Sequence, residues 1–264
     1  MAVFSDVQFT TEVSVDALTE SLAKLMLSKP KGIMILCSAQ AASWGHDFKQ
    51  CINGLDVPIF GGVFPGLIID SRFEPSGILV AGFVSNIQVS VVENVSTSSP
   101  FSSNLIPMPS SVNSVMILTD ALSRQIDAYL QHVLRFVPER CSVFGGGAGT
   151  LEFSPQPCLF SAAGVHQDAM VLVEMSTRWD LAVGHGWEVM AGPYLANSTD
   201  DNCILELNFE PAAQLYERVV QEHSELHFDE HDFFDIAKTF PFGLARLDDS
   251  VLIRDPLKVE GTGL

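Results

Sequence analysis

A repeated order of apolar runs and glycine-rich runs constrains the fold of this chain more than any other feature. Each of two segments begins with an apolar run that ends in small polar residues, continues to a glycine-rich run, and then reaches a second apolar run. The corresponding pairs are 32–38 with 114–120, 60–66 with 144–149, and 77–83 with 169–175. Three features in the same order predict a duplicated folding unit, with equivalent loops near a pseudo-twofold axis and a ligand cleft between the copies.

The spacing of apolar residues predicts an α/β fold, mixed in the α+β sense, built from strand–helix–strand–meander units with mixed sheets. Apolar residues at positions 15, 18, 22, 25 and 26 follow helical spacing, and Pro30 ends that run. The internal repeats are expected at about 30–95 and 114–187, with a last strand near 179–184. Residues 96–113 are rich in serine and proline, which predicts an exposed linker between the repeats.

The composition excludes several classes of partner. With 264 residues, 47% of them apolar, the chain is long enough to bury a substantial core. The net charge is −18 and no lysine occurs between Lys49 and Lys238, so nucleic acid and acidic membrane surfaces are not expected partners. The sequence has neither a membrane-spanning run nor a signal-peptide pattern, and we therefore expect a cytoplasmic protein. Its five cysteines include no C-x-x-C pair, which argues against a disulfide framework.

The two glycine-rich runs are candidate ligand-binding segments, because backbone N–H groups without side chains let a ligand approach closely. The candidate residues are Gly61, Gly62 and Phe64 in the first run and Gly145, Gly146 and Gly147 in the second. The second run, FGGGAGT, lacks the G-K-[ST] ending of a phosphate-binding loop, and no cation lies beside it in the sequence. The alternative is that both runs are tight turns that require positive φ angles.

The polar residues at the ends of the two leading strands are further candidates, since ligands of α/β sheets commonly lie beyond the carboxyl ends of strands. These residues are Cys37 and Ser38 in the first repeat and Thr119 and Asp120 in the second. The alternative is that Ser38 and Asp120 cap the helices that follow. Cys37 with His46 is a less favoured nucleophile–base pair, because no local catalytic signature accompanies it.

Histidines provide the remaining candidates. His185 lies in the segment VGHGW between two glycines, where its ring is expected to be accessible, and Trp187 is a candidate apolar wall for the same cleft. His223, His227 and His231 have i, i+4, i+8 spacing, which would align three imidazoles on one helix face and suit a metal such as zinc. The alternative is a solvated acidic loop, since aspartate and glutamate crowd the same segment.

Several segments in order give the chain a resemblance to the FIST family of bacterial sensory domains. They are the repeated glycine pairs, AVGHGW, ELNFEPAAQLYERVV and PFGLARLDDSVLIRDPLKVEG. The resemblance implies a FIST N-terminal region over about residues 1–207, with the repeats within it, and the start of a C-terminal region over 208–264 that is truncated at Leu264. The segments DFFDIAKTFPFG and RDP resemble the proteobacterial branch that includes haem-binding nitric-oxide sensors.

The resemblance implies a non-catalytic input module of bacterial signal transduction that senses a small ligand. Amino acids or their relatives are the ligands implied for the family, and haem-bound nitric oxide is implied for some members, with haem as the cofactor. The implied partners are a histidine kinase, or a diguanylate cyclase or phosphodiesterase. His185 is the local hypothesis for a haem ligand. The alternatives are a cysteine- or metal-dependent hydrolase and a ligand-free interaction scaffold with an acidic surface.

Overall fold

A computed structural model describes most of the chain and divides it into two compact units. The described residues are 2–102, 107–152, 154–200, 203–247 and 250–264. The units are Met1–Leu181 and Ala182–Leu264. Helices and mixed sheets both occur, which confirms the predicted α/β class. The family boundary expected at residue 207 stays a prediction.

The first half of the first unit alternates strands and helices around a parallel strand pair. Its elements are β1 (Phe4–Thr10), α1 (Val15–Met26), β2 (Ile33–Ser38), α2 (Gly45–Cys51), β3 (Ile59–Phe64), β4 (Leu67–Ile69), β5 (Arg72–Glu74) and β6 (Ile78–Phe83). The α1 helix begins after Ser14, whose hydroxyl accepts a hydrogen bond from the Ala17 N–H, and it buries Leu18, Leu22 and Leu25. The sequence therefore predicted this helix correctly from its apolar spacing.

The second half has a closely similar order of elements. They are β7 (Ile87–Glu93), β8 (Ser114–Asp120), α3 (Ile126–Leu134), β9 (Ser142–Ala148), β10 (Leu159–Ser161), β11 (Gly164–His166) and β12 (Ala169–Met175). The strand expected near 179–184 is absent, because residues 176–195 have no regular secondary structure. The prediction of a final strand was therefore wrong.

Strand pairing relates the two halves. One sheet has the order β1-β6-β2-β3-β10-β11 and the other has the order β7-β12-β8-β9. Each sheet contains one parallel pair, β2 with β3 in the first and β8 with β9 in the second. The strand that follows this pair in the sequence, β6 or β12, lies antiparallel beside β2 or β8. The strand that precedes the pair in the sequence, β1 or β7, lies antiparallel on the far side of β6 or β12. The structural correspondence thus runs from β1 to β6 and from β7 to β12; common ancestry of the halves stays a prediction.

The position of β7 differs from the expected repeat boundaries. The sequence placed this strand at the end of the first repeat, but β7 pairs with β12 along its whole length and opens the second sheet. Residues 96–113 therefore connect two strands of one sheet rather than two repeats. Val112 is buried in this connection, and Pro100–Ser102 forms a 3₁₀ turn, so it is not a fully exposed linker; residues 103–106 lie outside the described residues.

The two sheets pack against each other, with helices on their outer faces. Alternate residues of β12 show this arrangement: Val171 and Val173 share a core cluster with β2, β3 and β6, whereas Met170 and Leu172 share another with Tyr129 and other residues of α3. The α1 helix covers the outer face of the first sheet. The first unit is thus a layered sandwich in which both sheets are buried on both faces over much of their area.

The second unit is smaller and has its own core. Its elements are β13 (Ala196–Asp200), β14 (Cys203–Leu207), β15 (Glu210–Pro211), α4 (Ala212–His223), α5 (Phe233–Ala237), β16 (Phe242–Ala245) and β17 (Val251–Arg254). Tyr216 and Val220 of α4 pack with Ile236 of α5 and with surrounding phenylalanines. The α4 helix begins directly after Pro211. Across the described part of the chain, no helix combines the length and apolar character needed to cross a membrane.

Candidate functional site

Most residues of the two glycine-rich runs lie in strands β3 and β9, so the alternative interpretation of these runs as tight turns was wrong. Gly61 and Gly145 occupy equivalent positions and have φ angles of 154° and 155°. A Cβ atom at Gly61 would lie 1.7 Å from the carbonyl oxygen of Ile35, and one at Gly145 would lie 1.7 Å from that of Ile117. Both glycines are therefore required because the neighbouring strand approaches too closely for any side chain.

The hairpin of β10 and β11 covers the outer edge of β3. Phe160 lies opposite Gly61 and Leu159 lies opposite Gly62 in an antiparallel pairing. The Phe160 ring stacks on Phe48 with ring centroids 4.4 Å apart. Gly61 and Gly62 are consequently buried, and only Phe64, at the end of the strand, is partly exposed. A ligand reaches the glycines of β3 only if this hairpin moves.

The outer edge of β9 is open, in contrast to that of β3. Gly145, Gly146 and Gly147 are all exposed, and a Cβ atom added to Gly146 would meet nothing within 4 Å. Ser142 N–H bonds Asn113 and the Ala148 carbonyl bonds Ala121, both on the β8 side. In a parallel strand, the backbone N–H and C=O groups of every second residue point to the same neighbouring strand. Ser142 and Ala148 point to β8, so the backbone groups of Gly145 and Gly147, which lie at the alternate positions, point to the open edge.

The polar residues at the tips of β2 and β8 are buried and hold the chain that enters the antiparallel strand beside them. The Ser38 hydroxyl accepts a hydrogen bond from Gly77 N–H at 3.0 Å. Asp120 Oδ2 accepts one from Asp168 N–H at 2.7 Å, and its Oδ1 accepts one from Leu122 N–H at 3.0 Å. Neither residue makes the expected side-chain cap of a helix: Asp120 bonds a loop ahead of α3, which starts at Ile126.

Cysteine chemistry at this end of the sheets is disfavoured by burial. Cys37 is fully buried, and this burial raises the pKa of its thiol, so the reactive thiolate is suppressed. Its supposed partner His46 is exposed and bonds Gln50 at 2.9 Å. Burial, together with the nearby Asp120 carboxylate, raises the pKa of Cys158 to about 12. Thr119, beside Asp120, is also buried.

Asp168 is the centre of a hydrogen-bond network that the sequence did not reveal. Its carboxylate accepts hydrogen bonds from the Ser96 N–H at 2.9 Å, the Ser96 hydroxyl at 2.5 Å and the Ser123 hydroxyl at 2.8 Å. Its own N–H bonds Asp120. The network joins the chain after β7, the chain before α3 and the start of β12. No sequence motif marks it, because its members come from three separated segments.

A second network resembles a catalytic relay. The Ser161 hydroxyl lies 2.7 Å from His166 Nε2, and His166 Nδ1 lies 2.9 Å from Glu93 Oε1. A serine, a histidine and a carboxylate in this order are the parts of a nucleophilic site. Ser161 is only 4% exposed, however, and the Ala163 N–H, which follows it in the turn, donates to its hydroxyl. The network instead ties the β10–β11 hairpin of the first sheet to β7 of the second.

His185 and Trp187 belong to the second compact unit and lie in its irregular segment before β13. His185 is exposed, and its Nδ1 accepts a hydrogen bond from the Trp187 N–H at 3.3 Å. Trp187 is 45% exposed. Accessibility of the His185 ring agrees with the expectation from its glycine neighbours, while a cleft shared with the glycine-rich strands stays a prediction.

The histidine row does not lie on one helix face. The α4 helix ends at His223, whose Nδ1 bonds the Val219 carbonyl at 2.9 Å, and His227 and His231 follow outside it. The i, i+4, i+8 prediction was therefore wrong. Within the described ranges, no group of three or more histidine, cysteine or acidic side chains could hold a metal ion.

Comparison with known proteins identifies the family. The model of the FIST N domain matches residues 31–210, which is more than half of the chain. No curated protein matches the chain closely enough to count as a relative. The match covers the whole paired region from β2 to β12 and both glycine-bearing strands. The family resemblance inferred from the sequence is confirmed: the chain belongs to the FIST family of signal-transduction sensor domains.

Proposed function

We propose that this chain is a non-catalytic input module that binds a small ligand and passes the signal to a separate protein, a histidine kinase or a diguanylate cyclase or phosphodiesterase. The observation that carries the proposal is the family match over residues 31–210, since FIST domains are sensors that bind small ligands in signalling proteins. The buried Cys37 and the interrupted histidine row remove the specific support for a hydrolase.

The open edge of β9 is the part of the proposed site that is accessible without rearrangement. Gly145 and Gly147 direct N–H groups outward, and the absence of side chains lets an anionic group approach the backbone closely. A carboxylate held by backbone N–H groups is a known mode of recognition, which suits amino acids or their relatives. The remaining proposed residues are Phe64 at the end of β3, and His185 with Trp187 in the second unit.

The other proposed site residues of β2, β3 and β8 are buried, Gly61 and Gly62 among them beneath the β10–β11 hairpin. Cys37, Ser38, Gly61, Gly62, Thr119 and Asp120 are inaccessible in the described conformation. We propose that the β10–β11 hairpin has two positions, one on β3 and one away from it. A ligand that binds the protein more tightly when the hairpin is away from β3 would increase the population of that state, and this change would alter the contact with a partner protein.

Ligand binding is testable by calorimetry and thermal shift against a panel of amino acids. We expect at least one to raise the melting temperature, and the Gly146→Leu variant to weaken its binding at least tenfold, because the leucine side chain occupies the open space above β9. Asn53→Leu, at another exposed position, is the control. Unchanged affinity in Gly146→Leu would remove the β9 edge from the site.

The haem form of the proposal depends on His185. Its ring is exposed, and its Nδ1 accepts a hydrogen bond from the Trp187 N–H, which places the proton of the neutral imidazole on Nε2. Binding of iron through Nε2 therefore requires that this proton move to Nδ1 and that the hydrogen bond to Trp187 break. Haem titration should give a Soret band that differs from that of free haem and changes in His185→Ala. His46→Ala, another exposed histidine, is the matched control. A spectrum identical to that of free haem would refute the haem form while leaving the amino-acid form intact.

A further inference from the structure

The open edge of β9 has none of the features that usually protect a sheet edge. Natural edge strands carry charged residues, proline or bulges, or are very short, because their unpaired backbone groups otherwise recruit another strand. The β9 sequence, SVFGGGA, contains no charge and no proline, and the strand runs over seven residues, Ser142–Ala148. Its outer groups have no strand partner among the described residues. These features are typical of an edge that another strand covers whenever no ligand occupies it.

The corresponding strand of the other sheet shows what kind of partner fits. On β3, the hairpin of β10 and β11 lies antiparallel along the outer edge and places Leu159 and Phe160 opposite Gly62 and Gly61. Large apolar side chains on the added strand fill the space above the glycines, and Phe160 is completely buried there. Because Gly145 has the same backbone conformation as Gly61, β9 offers the same receptor for an apolar hairpin.

A hairpin with the matching design occurs in the chain but lies on no sheet edge. The β4–β5 hairpin pairs Ile68 with Phe73, just as the β10–β11 hairpin pairs Phe160 with Val165, and a two-residue loop joins the strands in both. Ile68 is 78% exposed and Phe73 is 67% exposed. Two large apolar side chains therefore lie largely in solvent, at the positions that correspond to the buried Phe160 and the half-buried Val165 of the other hairpin.

Within one chain, this hairpin does not lie along β9 in the way that β10 lies along β3, but forms a separate two-stranded sheet. Residues 149–158 connect β9 to β10, whereas only Pro65 and Gly66 connect β3 to β4. The ends of β3 and β9 meet, since Gly149 N–H donates to the Val63 carbonyl at 2.8 Å, yet the hairpin turns away from the middle of β9. A hairpin from a second copy reaches that edge without a change in the described fold of either chain.

We propose that β9 is a dimerisation edge that receives the β4–β5 hairpin of a second copy of this chain. By the template of β3 and β10, Ile68 of one copy lies opposite Gly145 of the other, and Leu67 and Ile69 lie opposite Gly146 and Phe144. Each copy has one such edge and one such hairpin, so two copies related by a twofold axis satisfy both, provided that the exchange closes.

Charge sets the conditions under which the dimer forms. Neither β4 nor β9 carries a charged side chain, so the contact itself contains no like-charge pair. Each chain has a net charge of −18, however, and two such chains repel each other at long range. Salt screens this repulsion, and the dimer is therefore expected to tighten as ionic strength rises.

Sedimentation velocity of the full chain at several concentrations and salt levels tests the proposal. Wild type should be mostly dimeric once its concentration reaches about 100 µM. Ile68→Lys and Gly146→Lys should each weaken the dimer at least tenfold, since both positions are exposed and face the proposed contact. Leu27→Lys is the control: Leu27 is 84% exposed at the end of α1, and its substitution should leave the dimer unchanged.

The outcomes separate the proposed occupant from others. A monomer at every concentration overturns the proposal. A dimer that is lost in Gly146→Lys but kept in Ile68→Lys shows that β9 pairs with a different strand, which also overturns it. A dimer that both variants retain places the contact elsewhere. Circular dichroism of each variant confirms folding. A ligand on the β9 edge would exclude the partner hairpin from it, so the experiment uses ligand-free protein, and its result does not depend on the proposed sensing function.

Discussion

Strands β3 and β9 share one backbone design and differ in what lies beside them. Both contain a glycine with a φ angle near 155° that allows close approach of the preceding parallel strand. Yet the β3 glycines are buried under β10, whereas the β9 glycines are exposed. The links that follow the two strands also differ: residues 149–158 lead β9 into the β10–β11 hairpin on the other sheet, whereas Pro65–Gly66 lead β3 into the separate β4–β5 hairpin. What lies beside each strand, rather than the strand's own backbone, therefore decides which edge is closed.

The largest expected effect comes from removing the side chain that closes the β3 edge. Phe160→Ala deletes a fully buried ring that stacks on Phe48, and it should lower the free energy of unfolding by about 4 kcal/mol. Ile68→Ala, the corresponding change in the exposed hairpin, should cost less than about 0.5 kcal/mol in the monomer. Urea denaturation measures both. Similar losses would show that the two hairpins are not in different environments.

The glycines themselves provide the next comparison. Gly61→Ala should destabilise the protein by about 3 kcal/mol or more, since a Cβ atom cannot coexist with the Ile35 carbonyl in a buried strand. Gly145→Ala meets the same clash at an open edge, where the strand can shift, and should cost about 1–2 kcal/mol less than Gly61→Ala. Gly146→Ala, with open space above it, is the control. Equal costs at Gly61 and Gly145 would contradict the assigned difference in edge mobility.

Substitutions at the ends of β8 and β2 should have smaller effects on the free energy of unfolding, and the two effects should differ. Asp120→Ala leaves the Asp168 N–H without its acceptor in a buried site and should cost about 2 kcal/mol. Ser38→Ala removes a single neutral acceptor from Gly77 N–H and should cost about 1 kcal/mol. Thermal denaturation of both variants measures this order. Reversal of the order would mean that the Asp168 network contributes little to stability.

A further expected effect is the loss of stability at alkaline pH. Burial raises the pKa of Cys37 and raises that of Cys158 to about 12, so the folded state keeps both thiols protonated while the unfolded chain releases the protons near pH 9.0. Their contribution is therefore complete below pH 9 and decreases as the pH rises above it. At pH 10 each thiol should account for about 1.4 kcal/mol of lost stability. The free energy of unfolding should decrease less steeply with pH in Cys158→Ala and in Cys37→Ala. If neither variant changes this pH dependence, the buried thiols are not its cause.

The sequence predicted local features well and long-range ones poorly. The α1 helix followed from apolar spacing, because helical periodicity and the Ser14 cap lie within one segment. The β7 strand was recognised as a strand but assigned to the wrong half, because its partner β12 lies about eighty residues away and pairing is not written in either strand alone.

The site was harder to predict for a related reason. Glycine runs are typical of turns, and nothing local distinguishes a turn from a strand whose neighbour approaches closely, as at Gly61. The relay of Ser161, His166 and Glu93 joins residues from different strands, so only the fold brings it together. The family, in contrast, was identified correctly because several segments in order carry it.

Amide hydrogen exchange in the Ile68→Lys chain, which lacks the proposed cover for β9, tests the difference between the two edges most directly. The N–H groups of Val143, Gly145 and Gly147 should exchange rapidly, while those of Gly61 and Val63 should be strongly protected beneath β10. Equal protection of the two strands would contradict the account, since it would mean that β9 already has a partner or that β10 does not close β3.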